Sequence, residues 1–82
     1  MEIKENPRNG GLYAFFKVGE QEYFADVADL GYCTECMIFK SENEKVTDWG
    51  EEYAKRDIPV TAKALKACIN EFINGLKTNN NN

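Results

Sequence analysis

Apolar and polar side chains alternate in two neighbouring runs, Leu12 to Val18 and Gln21 to Val27, and a period of two predicts β-strands. Gly19-Glu20 lies between them, and a Gly-X pair joining two β-prone runs is the signature of a two-residue type II′ hairpin. That loop sets the register. Leu12, Ala14, Phe16 and Val18 face Val27, Ala25, Tyr23 and Gln21, while Tyr13, Phe15 and Lys17 face Asp26, Phe24 and Glu22. One face of the hairpin is then nearly all apolar and needs a core. The other is mixed, with Phe15 opposite Phe24 and a Lys17/Glu22 charge pair beside them.

A third strand is expected over Cys33 to Lys40, after a connection from Ala28 to Tyr32. Its facing stays open, because Cys36 and Ile38 compete with Met37 and Phe39 for the buried side. The polar stretch Ser41 to Lys45 closes it. From Val46 to Ile58, Asp48 with Glu51 three residues on reads as a helix start, and Trp49 and Tyr53 would share one side of a short middle helix. Pro59 ends whatever precedes it. The C-terminal pattern is the clearest: Thr61 is a natural N-cap, and Leu65, Cys68, Ile69, Phe72, Ile73 and Leu76 repeat at the three-four spacing of one buried helix stripe.

The expected architecture is α+β: a three-stranded antiparallel meander packed by a C-terminal amphipathic helix, with the short middle helix beside them. A single domain over residues 10–77 would lie between a flexible segment, 1–9, and a disordered Asn-rich tail, 78–82. At 82 residues, with 43% of them hydrophobic, the chain has enough apolar surface for one small core but not for two lobes around a cleft. No apolar stretch reaches the roughly 20 residues that span a bilayer, and the polar N-terminus does not read as a signal peptide, so a cytoplasmic protein without membrane attachment is expected.

Ten basic and 14 acidic residues give a net charge of −4, which argues against direct binding of nucleic acid through phosphate neutralisation. The acidity is concentrated: Glu42 to Asp57 carries six acidic and three basic residues. With no histidine, the usual general base near neutral pH is missing. Three cysteines cannot form a complete disulfide framework, and a reducing compartment is the simpler setting. Cys33-Thr34-Glu35-Cys36 has a C-x-x-C spacing, yet with Cys68 the only other thiol a four-ligand zinc site falls short. Positions i and i+3 of a strand also point to opposite faces, so these cysteines read as structural. The sequence therefore points to no cofactor, no metal and no catalytic residue.

Two surfaces are left as partner-binding candidates. The first is the aromatic sheet face, Tyr13, Phe15 and Phe24, which a single helix cannot cover if it packs on the other side of the sheet. Trp49 and Tyr53 folded over it, a second copy in a homodimer through the sheet, or a partner protein would each bury it. The second is the acidic segment with Glu42, Glu44, Asp48, Glu51 and Glu52, suited to a basic protein partner. The expected function is a non-catalytic, acidic protein-binding or regulatory module. The alternative is an acidic mimic of nucleic acid that inhibits a nucleic-acid-binding protein, such as a host-defence nuclease.

Overall fold

A computed structural model describes residues 1–79. Five antiparallel strands follow one another in sequence order across a single sheet: β1 (Lys4–Glu5), β2 (Leu12–Val18), β3 (Gln21–Asp29), β4 (Thr34–Glu42) and β5 (Lys45–Arg56). One helix, α1 (Ala62–Asn79), completes the α+β fold. The meander thus has five strands rather than three, and the middle helix expected over Val46 to Ile58 is instead the long edge strand β5. β1 adds two residues to the opposite edge, with Lys4 beside Tyr13 and Glu5 beside Leu12. The asparagines beyond residue 79 lie outside the described residues.

The first hairpin forms in the expected register at all seven pairs, from Val18 with Gln21 to Leu12 with Val27. Gly19 takes φ +62°, the left-handed value that a type II′ loop needs at its first position, and Glu20 stays out of that region. The β4–β5 hairpin turns differently. Asn43 and Glu44 both adopt left-handed backbone, φ 52° and 62°, as a type I′ loop requires. Glu22 holds this turn from β3: one carboxylate oxygen accepts hydrogen bonds from the Ser41 hydroxyl at 2.7 Å and the Glu44 amide at 2.9 Å. Both bonds favour the charged form, so the Glu22 pKa lies below its usual value.

Helix α1 starts as expected. The Thr61 hydroxyl accepts from the Ala64 amide at 3.1 Å, which caps one of the free donors of the first turn. Its stripe then covers one face of the sheet, with Leu65, Cys68, Ile69 and Phe72 buried against Ala14, Tyr23, Ala25, Val27, Cys36 and Ile38. The facing of β4 is thereby settled: Cys36 pairs with Val27 and Ile38 with Ala25, so both point under the helix. Phe72 is the hub of this core. Its ring lies 4.9 Å from Tyr23, 6.1 Å from Phe16 and 6.2 Å from Tyr53, each near-perpendicular.

The pairing of β4 with β5 is irregular. Lys40 pairs with Asp48 and Ile38 with Tyr53, so Phe39 alone faces the four residues Trp49 to Glu52. This wide bulge explains why β5 lacks the alternation of a regular strand. The Asp48 carboxylate does not cap a helix; it accepts the Gly50 amide at 2.8 Å and shapes the start of the bulge.

Candidate functional site

The sheet face turned away from α1 is built in cross-strand rows. The register puts Lys17, Glu22, Ser41 and Val46 in one row, followed by Phe15, Phe24 and Phe39, then Tyr13, Asp26, Met37 and Ala54, and finally Ala28, Glu35 and Arg56. The aromatic row does not stop at β4, because the bulge carries Trp49 back onto the edge of Phe39 at 5.3 Å. Neighbouring centroids along the ladder are 5.3 Å from Trp49 to Phe39, 6.5 Å to Phe24 and 5.2 Å to Phe15, with Tyr13 packing on Phe15 at 6.1 Å and on Phe24 at 5.9 Å. Five rings from four strands therefore form one continuous surface.

Among the described residues no helix or further strand is layered over this surface. Phe39 is buried by its neighbours in the ladder, Tyr13, Phe15, Phe24 and Met37 are half-buried, and Trp49 is 73% exposed. Tyr13, Phe15 and Phe24 are thus brought together. The expected cover is only half there: Trp49 joins the edge of the face, whereas Tyr53, opposite Ile38, packs under the helix against Phe72. In a helix those two residues would share a side; in a bulged strand they part.

Asp26 stands inside the apolar part of this face, between Tyr13 on β2 and Met37 on β4. Its pKa is raised from 3.8 to about 6, first by burial and further by the nearby Glu35 carboxylate, while a hydrogen bond from the Met37 backbone works the other way. Among the described residues no cation is paired with Asp26. Arg56 Nε donates to the Glu35 carboxylate at 3.1 Å, Lys4 lies 3.9 Å from Glu2, and Lys17 stands opposite Glu22.

The acidic segment is not gathered into one surface. Asp48, paired with Lys40, belongs by register to the helix side, and Glu42 has the same parity on β4. Glu44 lies beside Tyr13 and Phe15 at the rim of the open face, while Glu52 lines a groove with Tyr53, Phe72 and Leu76 on the other side. Glu51 is exposed in the bulge.

The C-x-x-C pair does not converge either. Cys36 is fully buried next to the Cys68 thiol of α1, and burial, reinforced by that neighbour, pushes its pKa far up and leaves it an inert thiol. Cys33 lies just before β4, half-buried, on the loop. Among the described residues no three His, Cys, Asp or Glu side chains are grouped to hold a metal ion, and no helix is long and apolar enough to cross a membrane.

The residues that pattern reading leaves off this face are Met37, Phe39 and Trp49. A signal existed for two of them: Met37 and Phe39 alternate with Cys36 and Ile38, so either pair had to face away from the helix. Nothing local marked Trp49, whose position depends on the bulge. Comparison with family models, with curated proteins and with solved structures found no match to this chain.

Proposed function

We infer that this chain is a non-catalytic protein-binding module that docks its partner on the open face of the sheet. The observation that carries the reading is the ladder Tyr13, Phe15, Phe24, Phe39 and Trp49, a continuous aromatic surface opposite the helix-packed core. Aromatic rings supply large contact area at low entropic cost and are over-represented where protein surfaces meet. Charged rows on both sides of the ladder fit the polar rim that surrounds such a patch. A cytoplasmic setting, consistent with three unpaired thiols, belongs to the same reading.

Mimicry of nucleic acid draws less support. A mimic needs carboxylates spaced along one ridge, and Asp48 stands by register on the opposite side of the sheet from Glu44.

The reading is tested by affinity capture from the native cytoplasm with the wild type and with Phe15→Glu, after circular dichroism has established that the variant is folded. Proteins held by the wild type and lost with Phe15→Glu support a docking face. Identical protein sets on both would refute it.

A further inference from the structure

We propose that the partner docked on the aromatic ladder presents an arginine or lysine set within an apolar segment, and that this cation seats on Asp26. The inference rests on the docking role of the open face and adds the chemistry of its occupant. Asp26 sits on the central strand β3, with Tyr13 and Met37 directly beside it in the flanking strands, Phe24 two residues before it and buried Ala28 two residues after. Among the described residues it has no ion pair, only a backbone hydrogen bond from Met37.

A carboxylate in apolar surroundings is poorly solvated, and a partner that covers the face without compensating it must bury an unpaired charge. Among the described residues no cation of the chain pairs with Asp26. Arg56 is held by Glu35, Lys17 stands against Glu22, and Lys4 is near Glu2. The missing counter-charge therefore has to arrive with the partner.

A second copy of this chain is a poor source of it. A two-fold dimer uses the same patch twice, so an axis near the centre of the ladder would bring two Asp26 carboxylates into one apolar band. The net charge of −4 adds general repulsion between copies and attraction for a basic chain. A guanidinium suits the place best, since it pairs with a carboxylate through two donors and also packs on aromatic rings such as Tyr13 and Phe24.

The test is display selection of random 12-residue peptides on the immobilised full chain, in parallel with Asp26→Asn and Phe15→Glu variants of confirmed fold. Peptides enriched on the wild type should carry Arg or Lys flanked by apolar residues. The best of them should bind Asp26→Asn at least tenfold more weakly, and selection on that variant should retain apolar residues while losing the basic preference. Peptides that depend on Phe15 yet carry no basic residue, or bind Asp26→Asn as well as the wild type, would overturn the cation seat and leave the docking face standing. No peptide sensitive to Phe15→Glu would count against both. A sedimenting dimer of the wild type that Phe15→Glu dissolves would make a second copy the occupant and overturn the proposal.

Discussion

Trp49 meets Phe39 edge-on, with ring centroids 5.3 Å apart and planes at 65°, although the bulge that carries Trp49 leaves its side chain 73% exposed. The indole extends the ladder without being needed to hold the sheet together. Trp49→Ala should cost at most about 1 kcal/mol of stability, the range of one aromatic pair with little burial. Because Trp49 is the only tryptophan, its fluorescence also reports on the face directly. Emission should be that of a solvent-exposed indole in the free chain and shift to the blue when a partner docks. A buried-type spectrum in the free monomer, or a loss of several kcal/mol on chemical denaturation of Trp49→Ala, would contradict this arrangement.

Two glycines should fail on substitution for different reasons. Gly19 has open space around its missing side chain but a φ of +62°, so Gly19→Val strains the backbone alone and should cost about 1–2 kcal/mol. Gly11 is buried, and a β-carbon there would come within 2.5 Å of the Val27 carbonyl oxygen. Gly11→Ala must push β2 and β3 apart at the end of the hairpin and should be the more damaging change, although it adds fewer atoms. Thermal unfolding of the two variants side by side decides the order.

The pH dependence should carry the mark of Asp26. Its carboxyl binds its proton more tightly folded than unfolded, with a pKa of about 6 against an ordinary 3.8. Unfolding therefore releases a proton between these values, and this group's contribution to stability falls as pH rises from about 4 to about 6. Tyr13, Glu35 and Met37 surround it, with Arg56 held by Glu35 and Lys4 beyond Tyr13. After solvent screening of a partly exposed group, the cost at pH 7 is about 1–2 kcal/mol, so Asp26→Asn should be more stable than the wild type there and less so near pH 4. Glu22 acts in the opposite direction: its lowered pKa gives stability that is present above 4.5 and lost as the pH falls further. Urea denaturation of wild type and Asp26→Asn across pH 4 to 8 checks the sign for Asp26; parallel curves would remove Asp26 from the account.

How far the pattern of the chain reveals the fold differs from element to element, for physical reasons. The β2–β3 hairpin is legible because a two-residue glycine loop leaves one register compatible with an apolar face. Helix α1 is legible because its stripe is amphipathic and its cap is local. β4 is ambiguous by nature, since Cys36 and Ile38 are buried under the helix while Phe39 is buried by Phe24 and Trp49 on the other face. β5 is hidden. Only Val46 and Tyr53 of its 12 residues are even half-buried, its bulge breaks the period of two, and its turn puts Glu44 at a left-handed φ that glutamate seldom signals. Of the candidate site, Tyr13, Phe15 and Phe24 follow from the hairpin, while Trp49 and the isolation of Asp26 emerge only from pairing across four strands.

The clamp from Glu22 to the β4–β5 turn should control the far end of the open face. Its carboxylate holds both the Ser41 hydroxyl, on a residue only 2% exposed, and the Glu44 amide of the left-handed turn. Glu22→Ala leaves the buried Ser41 hydroxyl without this acceptor, and an unsatisfied buried hydroxyl typically costs about 1–3 kcal/mol. The core under α1 is untouched by that change, so the loss should be local as well as global. Hydrogen exchange should quicken at the Glu44 amide and along the adjoining ends of β4 and β5, while amides of α1 keep protection in proportion to overall stability. Glu22→Gln keeps an oxygen acceptor and should restore most of the protection, which separates the hydrogen bonds from the charge. If Glu22→Ala exchanges at the Glu44 amide as slowly as the wild type, the turn is held by its own I′ geometry, and Glu22 is a rim charge paired with Lys17 and nothing more.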